Sequence, residues 1–87
     1  FPAMPVAPTV YAFSSAFTPA HATRARGTAV VTRPDVRWLR CDLKTVQLLP
    51  NVMAKQAAIA AGCDEAVFVR DGVVTECSHS NLFALID

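Results

Sequence analysis

Two ionisable side chains in this sequence could do chemistry together. Lys44 ends the charged stretch RWLRCDLK and precedes the largely apolar segment 46–62. Glu76 follows VVT, which favours a strand, and leads into the polar turn CSHSN. A lysine amine beside apolar residues can act as a nucleophile or form an imine, and a strand-end carboxylate can pair with a pyridinium nitrogen. These two groups are the minimum that pyridoxal phosphate needs, although by residue type alone both also fit ordinary solvated turns.

Other chemistries fit the sequence less well. His21 and His79 lack a second histidine or a pair of carboxylates at ligand spacing, so no metal site is predicted and both are expected in surface loops. The run SHS at 78–80 stands outside any GxSxG motif, which argues against a hydrolase. Cys41 is expected to be a small buried apolar residue rather than a nucleophile.

The composition predicts that the chain does not stand alone. Hydrophobic residues fill 53% of 87 positions. A chain of this length forms at most one small domain, which buries about 60–65% of its unfolded surface. We therefore expect a piece of a larger fold, an obligate partner, or both.

Charge, hydropathy and cysteine content exclude several classes of protein. The net charge of +1 comes from scattered basic residues, so no nucleic-acid partner is predicted. No apolar run approaches about 18 residues, so no membrane partner is predicted. The three cysteines are odd in number and far apart, which predicts a reducing compartment, and hence a cytoplasmic protein, rather than a disulfide framework.

One helix is clearly indicated. It covers 50–63, with Pro50 tolerated in its first turn and Gly62 as its stop. Its predicted apolar stripe consists of Val52, Ala57, Ile59 and Ala60.

The remaining predicted elements are strands and turns. Asp71 and Gly72 predict the tight turn of a β-hairpin over 65–76, because both tolerate a positive φ. RPDV at 33–36 is expected to be a turn. Further strands are predicted at 9–17, 28–32 and 82–86, and a mobile connection at 18–27.

Residues 35–83 resemble the middle of the class IV pyridoxal-phosphate aminotransferases, and among these the D-amino-acid transaminases. RWLRCDLK is similar to the family's stretch that ends in the Schiff-base lysine, which places that role on Lys44. The pattern ExSxxNLF, formed here by Glu76, Ser78 and residues 81–83, matches the first half of the class IV signature. Both motifs have the family's order and spacing.

The resemblance implies a cofactor, a reaction and a set of site residues. The cofactor is pyridoxal 5'-phosphate, and the reaction is transamination between a D-amino acid, such as D-alanine, and a 2-oxo acid. Lys44 would carry the cofactor as a Schiff base and act as general base, and Glu76 would pair with the ring nitrogen. Arg37 and Ser78 would also lie at the cofactor. The resemblance further implies a homodimer.

The fold class that the resemblance implies is α/β (α+β), as a central fragment of the class IV fold. Residues 1–17 would be the last strand of the small N-terminal domain, 18–27 the interdomain connection, and 28–87 the first part of the large cofactor-binding domain. Segments that bind the phosphate and the substrate carboxylate would lie outside these residues, so we expect the 87 residues alone to be inactive.

Some alternatives stay open at this point. A branched-chain aminotransferase or an aminodeoxychorismate lyase belongs to the same family, and a non-catalytic structural or interaction domain is the alternative from another class. Cys77 and His79 stand where the family commonly has a glycine and a serine, so one wall of the pocket is expected to differ here.

Overall fold

A small mixed sheet with one helix packed on it forms the centre of the molecule. The computed structural model describes residues 5–87, so the first four residues of the predicted N-terminal segment 1–17 lie outside it. The elements are α1 (His21–Arg26), β1 (Val30–Pro34), α2 (Leu49–Ala60), β2 (Glu65–Arg70) and β3 (Val73–Cys77). This arrangement confirms the α+β class.

The sheet has the order β1-β2-β3. β1 runs parallel to β2, with Val30 opposite Glu65. Parallel neighbours need a long crossover, and residues 35–64, which include α2, supply it. β2 and β3 form the predicted hairpin, in which Asp71 and Gly72 have φ values of 51° and 78°. A positive φ at both central positions is typical of the two-residue turns that match strand twist.

The core lies between α2 and β2. Ala54 and Ala58 stand one helical turn apart and pack against Ala66 and Phe68, and all four are buried. Because alanine side chains are short, the helix can lie close to the sheet, and the Phe68 ring fills the space that remains. The core is small for a chain of this hydropathy, which leaves many large apolar side chains exposed.

The predicted helix is confirmed, but its inward face is not the predicted one. Pro50 stands in the first turn, as expected, and Gly62 has a φ of 71° just after the helix ends. The expected apolar stripe is wrong, because Val52, Ile59 and Ala60 are exposed and Ala57 is only half-buried. The inward face is formed instead by Ala54 and Ala58. Neither helix within residues 5–87 has the length and hydropathy that crossing a membrane requires.

Two predicted strands do not form. Residues 9–17 and 82–86 have no regular secondary structure, and their large side chains are exposed. A strand must pair its backbone N–H and C=O groups with a neighbour, and neither segment has such a neighbour among the described residues. High β propensity alone is therefore insufficient here.

The segment before the sheet also differs from the prediction. The connection 18–27 contains α1, a single short helix with no buried residue. The strand expected at 28–32 is found as β1 at Val30–Pro34, so the first two residues of the turn expected at 33–36 lie in the strand, and residues 35 and 36 have no assigned turn. A proline is compatible with β1 because β1 is an edge strand of this sheet.

Candidate active site

Lys44 and Glu76, distant in sequence, line the same cavity. This cavity has a volume of about 490 Å³ and also includes Arg37 in its wall. A second cavity, of about 620 Å³, shares Lys44 and Glu76 and adds Ser78. The structure thus brings all four predicted site residues to two cavities with a common wall, and the predicted lysine and carboxylate lie in that common wall.

Glu76 reaches the cavity because β3 contains a β-bulge. Val67 pairs with Cys77 and Val69 with Val74, so two residues of β3, Thr75 and Glu76, lie opposite the single residue Phe68 of β2. In a regular strand, consecutive side chains point to opposite faces. The bulge changes this local geometry, and both consecutive side chains reach the same arginine, Arg37.

Lys44 stands on the irregular segment 35–48 between β1 and α2. The expectation that apolar neighbours shield it is wrong within the described residues, because Leu43, Val46 and Leu48 are exposed, as is Lys44 itself. Residues 38–48 of this segment are all exposed. The lysine is therefore accessible from the cavity.

Arg37 links Glu76 to the interior. Its Nη1 donates to a Glu76 carboxylate oxygen, and its Nε and Nη2 each donate to Asp35 at 2.8 Å. Its guanidinium carbon also lies 4.9 Å from the centre of the Phe68 ring, a cation–π contact. Only 10% of the Arg37 side chain is exposed, against 50% for Glu76. The guanidinium is therefore held on several sides, while the carboxylate is half open to the cavity.

Asp35 is the buried centre of this network, although the only prediction for it was a place in the turn expected at 33–36. Its carboxylate accepts a hydrogen bond from Thr75 at 2.8 Å and lies 3.0 Å from Arg70. The hydrogen bonds from Arg37 hold the pKa of Asp35 well below its usual range, against the effect of burial, and the Thr75 hydroxyl adds to the lowering. The bond to Asp35 in turn raises the pKa of Arg37.

A second buried carboxylate, Glu65, fixes the turn that follows β3. It accepts hydrogen bonds from the hydroxyls of Ser78 and Ser80 and from the Ala66 N–H, and His79 Nδ1 lies 2.6 Å from it. Burial alone would raise the pKa of Glu65, but these contacts together lower it to about 2. Sequence reasoning also missed this residue, whose only signal was a charge at the start of a predicted strand.

Ser78 is held by its hydroxyl and by its backbone. The hydroxyl donates to Glu65, and the Ser78 carbonyl accepts a hydrogen bond from Asn51 of α2 at 2.8 Å. The residue is buried at the edge of the second cavity. The structure therefore makes Ser78 a fixed part of the cavity wall.

Of the other candidate residues, one agrees with its expected placement and two differ from it. His79 is exposed, as expected of a surface residue, whereas His21 begins α1 rather than lying in a loop. Cys41 is exposed at the first cavity, not buried, and its thiol donates to the Trp38 carbonyl at 3.0 Å. Among residues 5–87, no group of three or more His, Cys, Asp and Glu side chains is arranged to hold a metal ion.

A lysine amine and a carboxylate that share a cavity wall offer a nucleophile or proton acceptor beside an anionic group that can pair with a positively charged ligand atom. The profile of the family described as amino-transferase class IV matches residues 3–87 of this chain. The chain therefore belongs to the class IV aminotransferase family.

Individual relatives agree with this assignment. The D-alanine aminotransferase of Staphylococcus epidermidis is 39% identical over 87 residues, which is 100% of this chain and 31% of the relative. The enzyme of the same name from Staphylococcus aureus gives the same identity and the same coverage. That of Bacillus licheniformis is 51% identical over 57 residues, 66% of this chain and 20% of the relative. The chain thus spans 31% of the length of the first of these relatives.

Glu65 should make the stability of the protein depend on acid pH. Its pKa is about 2 in the folded protein and 4.5 in its ordinary state, so its contribution is complete above about pH 4.5 and is lost as the pH falls toward 2. In Glu65→Gln, the free energy of unfolding, measured by urea denaturation, should fall less steeply with acid than in the wild type. At about pH 6 the variant should be less stable by about 1–3 kcal/mol.

The exposed carboxylate of Asp87 provides a control, because Asp87→Asn should leave the wild-type pH dependence in place. A Glu65→Gln variant with the stability and acid dependence of the wild type would show that the contacts around Glu65 contribute nothing to folding.

Proposed function

We propose that this chain forms part of a pyridoxal-phosphate-dependent enzyme that transfers an amino group between a D-amino acid, such as D-alanine, and a 2-oxo acid. The observation that carries the proposal is the shared cavity of Lys44 and Glu76, with Arg37 bonded to the carboxylate. The D-alanine aminotransferase names of the relatives support the D-amino-acid substrate. Membership of the class IV family supports the reaction.

We also propose how the chain fits into the full-length enzyme. Residues 1–17 correspond to the end of a small N-terminal domain, 18–27 to the connection between domains, and 28–87 to the first part of the cofactor-binding domain. The match to 31% of the first relatives' length supports this division, as does the large apolar surface left exposed around a small core. Groups that bind the phosphate and the substrate carboxylate would come from other segments.

The residues at the cavity fit pyridoxal phosphate. Lys44 has an accessible amine for covalent attachment, and Glu76 is a half-exposed carboxylate able to accept a hydrogen bond from the ring nitrogen. When bound, the cofactor supplies an electron sink for negative charge at the substrate α-carbon. Glu76 would keep the ring nitrogen protonated, and Arg37, by donating to Glu76, would keep that carboxylate oriented.

Lys44 would have a second role once its amine is free. The amine would take the α-proton of the amino acid and return a proton to the cofactor carbon that is bonded to the substrate nitrogen, which makes Lys44 the general base of the reaction. The exposed position of Lys44 on the irregular segment 35–48 leaves the side chain free to move between these two tasks. Ser78, held by Glu65 and Asn51, would form a fixed wall beside the cofactor.

The assembly and location of the enzyme are further parts of this proposal. We propose a homodimer, which would cover part of the exposed apolar surface, including Trp38, Phe83 and Leu85. A cytoplasmic location is supported by the three free thiols, since reducing compartments keep cysteines unpaired.

Lys44 should be the attachment point of the cofactor. Borohydride reduction of the full-length holoenzyme, followed by digestion and mass spectrometry, should yield a phosphopyridoxyl group on the peptide that contains Lys44. The matched control is Lys55, the other lysine of the chain, which donates instead to the Asp64 carbonyl. An adduct on Lys55, or on no lysine, would refute the assignment.

Glu76→Gln should retain the cofactor but lose turnover. A neutral amide cannot keep the ring nitrogen protonated, so kcat should fall at least about tenfold, which corresponds to about 1.4 kcal/mol of activation free energy. Turnover with D-alanine and 2-oxoglutarate and the bound cofactor per chain are the two measurements. Asp71→Asn, which changes an exposed carboxylate of the same hairpin, should turn over as the wild type does. Unchanged kcat in Glu76→Gln would mean that this carboxylate is only structural.

A further inference from the structure

We propose that Asp35 is a positioning residue that locks the guanidinium of Arg37 so that its one remaining edge is presented to Glu76. This inference rests on the proposed function, in which Glu76 pairs with the cofactor ring. Asp35 itself does not line either cavity, and its side chain is completely buried. It would therefore act on the site only through Arg37.

Both carboxylate oxygens of Asp35 have hydrogen-bond partners inside the protein. Oδ1 accepts from Arg37 Nε at 2.8 Å and from the Arg37 backbone N–H at 3.2 Å, and Arg70 lies 3.0 Å away. Oδ2 accepts from Arg37 Nη2 and from Thr75, each at 2.8 Å. Because this carboxylate has no exposed surface, water cannot replace a contact that is lost.

The planar shape of the Arg37 guanidinium determines which of its N–H groups can reach Glu76. Arginine presents its N–H groups in a planar fork of fixed shape, and a carboxylate can take two of them side by side. Asp35 takes the Nε and Nη2 edge in this way, and the Phe68 ring lies against one face. With this edge filled, the Nη1 and Nη2 edge remains, and it faces β3: Nη1 donates to Glu76, and Nη2 lies 3.4 Å from the Thr75 hydroxyl.

The charges near Arg37 also favour its bond to Glu76. Asp35 and Glu76 are both negative, so Asp35 alone would weaken the attraction of Arg37 for Glu76. Arg70 offsets this effect, because it lies 3.0 Å from the Asp35 carboxylate and donates to the Arg37 carbonyl at 2.9 Å. The cluster therefore has two positive and two negative groups, and Arg37 keeps its attraction for the open carboxylate.

The bulge connects this cluster to the strand that carries Glu76. Thr75 and Glu76 are the two residues opposite Phe68, and the network binds both of them, Thr75 through Asp35 and Glu76 through Arg37. In Asp35→Asn, an amide N–H₂ replaces one oxygen and faces a donor of Arg37 or Thr75. One edge of the fork is then lost, and the guanidinium is free to turn.

The direct test observes Arg37 in the apoprotein. With ¹⁵N-labelled arginine, the wild type should give separate Nη1 and Nη2 signals for Arg37, because bonds on both sides slow rotation of the group. Asp35→Asn should merge them, and Arg37→Lys identifies the signals. Ala58→Gly, which perturbs the core beneath Phe68 but removes no hydrogen bond of Arg37, should keep them separate. Merged signals in the wild type, or separate signals in Asp35→Asn, would overturn the inference.

A double-mutant cycle in the holoenzyme tests the consequence for Glu76. Asp35→Asn should lower kcat about 10- to 100-fold, the range typical of losing an orienting group. In a Glu76→Gln background the same change should cost less than about twofold, because the target of the positioning is already gone. Ala58→Gly should cost the same factor in both backgrounds. Equal losses from Asp35→Asn in both backgrounds would show a merely structural role.

The two proposals fail in different ways. A wild-type protein without cofactor-dependent turnover would refute the proposed function, and the arginine spectra would still decide whether Asp35 locks Arg37. Turnover together with identical Arg37 spectra in the wild type and Asp35→Asn would refute the inference and leave the proposed function in place.

Discussion

The parallel pairing of β1 with β2 is the constraint on which the site depends. It places the end of β1 beside the end of β2, where the Asp35 N–H donates to the Val69 carbonyl at 2.8 Å. Because the hairpin then returns along β2, the bulge of β3 lies next to the segment that follows β1. Arg37 can therefore reach Glu76 although they are far apart in sequence. The same pairing requires the long crossover, and that crossover carries Lys44 to the cavity.

Two buried carboxylates turn this topology into a defined site. Asp35 holds Arg37 beside the end of β3, and Glu65 holds the turn that contains Ser78. A buried charge needs an ion pair or hydrogen bonds to offset the loss of water. Asp35 has two arginines, and Glu65 accepts hydrogen bonds from two hydroxyls and a backbone N–H. Loss of the groups that bond either carboxylate would leave a buried charge without compensation. These contacts therefore specify one arrangement of Arg37 and of the turn after β3 more strongly than apolar packing would. That specificity matters here because the apolar core is small.

The local signals of the sequence predicted the local structure well. Proline at the start and glycine after the end indicated α2, and Asp71-Gly72 indicated the hairpin, because these residues act on their own backbone. The four site residues came from two motifs. By contrast, the burial of Asp35 and Glu65 could not be predicted, since it depends on contacts with distant parts of the chain. Arg70 and Thr75 approach Asp35, and Ser78 and Ser80 approach Glu65. The bulge at Glu76 was not predicted for the same reason, because it depends on the pairing with β2. Residues 9–17 show that a segment with high β propensity forms no strand when it has no neighbouring strand to pair with.

A crystal structure of the full-length protein grown with pyridoxal 5'-phosphate tests the central claim most directly. We expect continuous electron density from Lys44 Nζ to the cofactor. We also expect the Glu76 carboxylate to lie within hydrogen-bond distance of the ring nitrogen and Arg37 to bridge Glu76 and Asp35. A cofactor joined to Lys55, or a Glu76 side chain turned away from the ring, would contradict that claim.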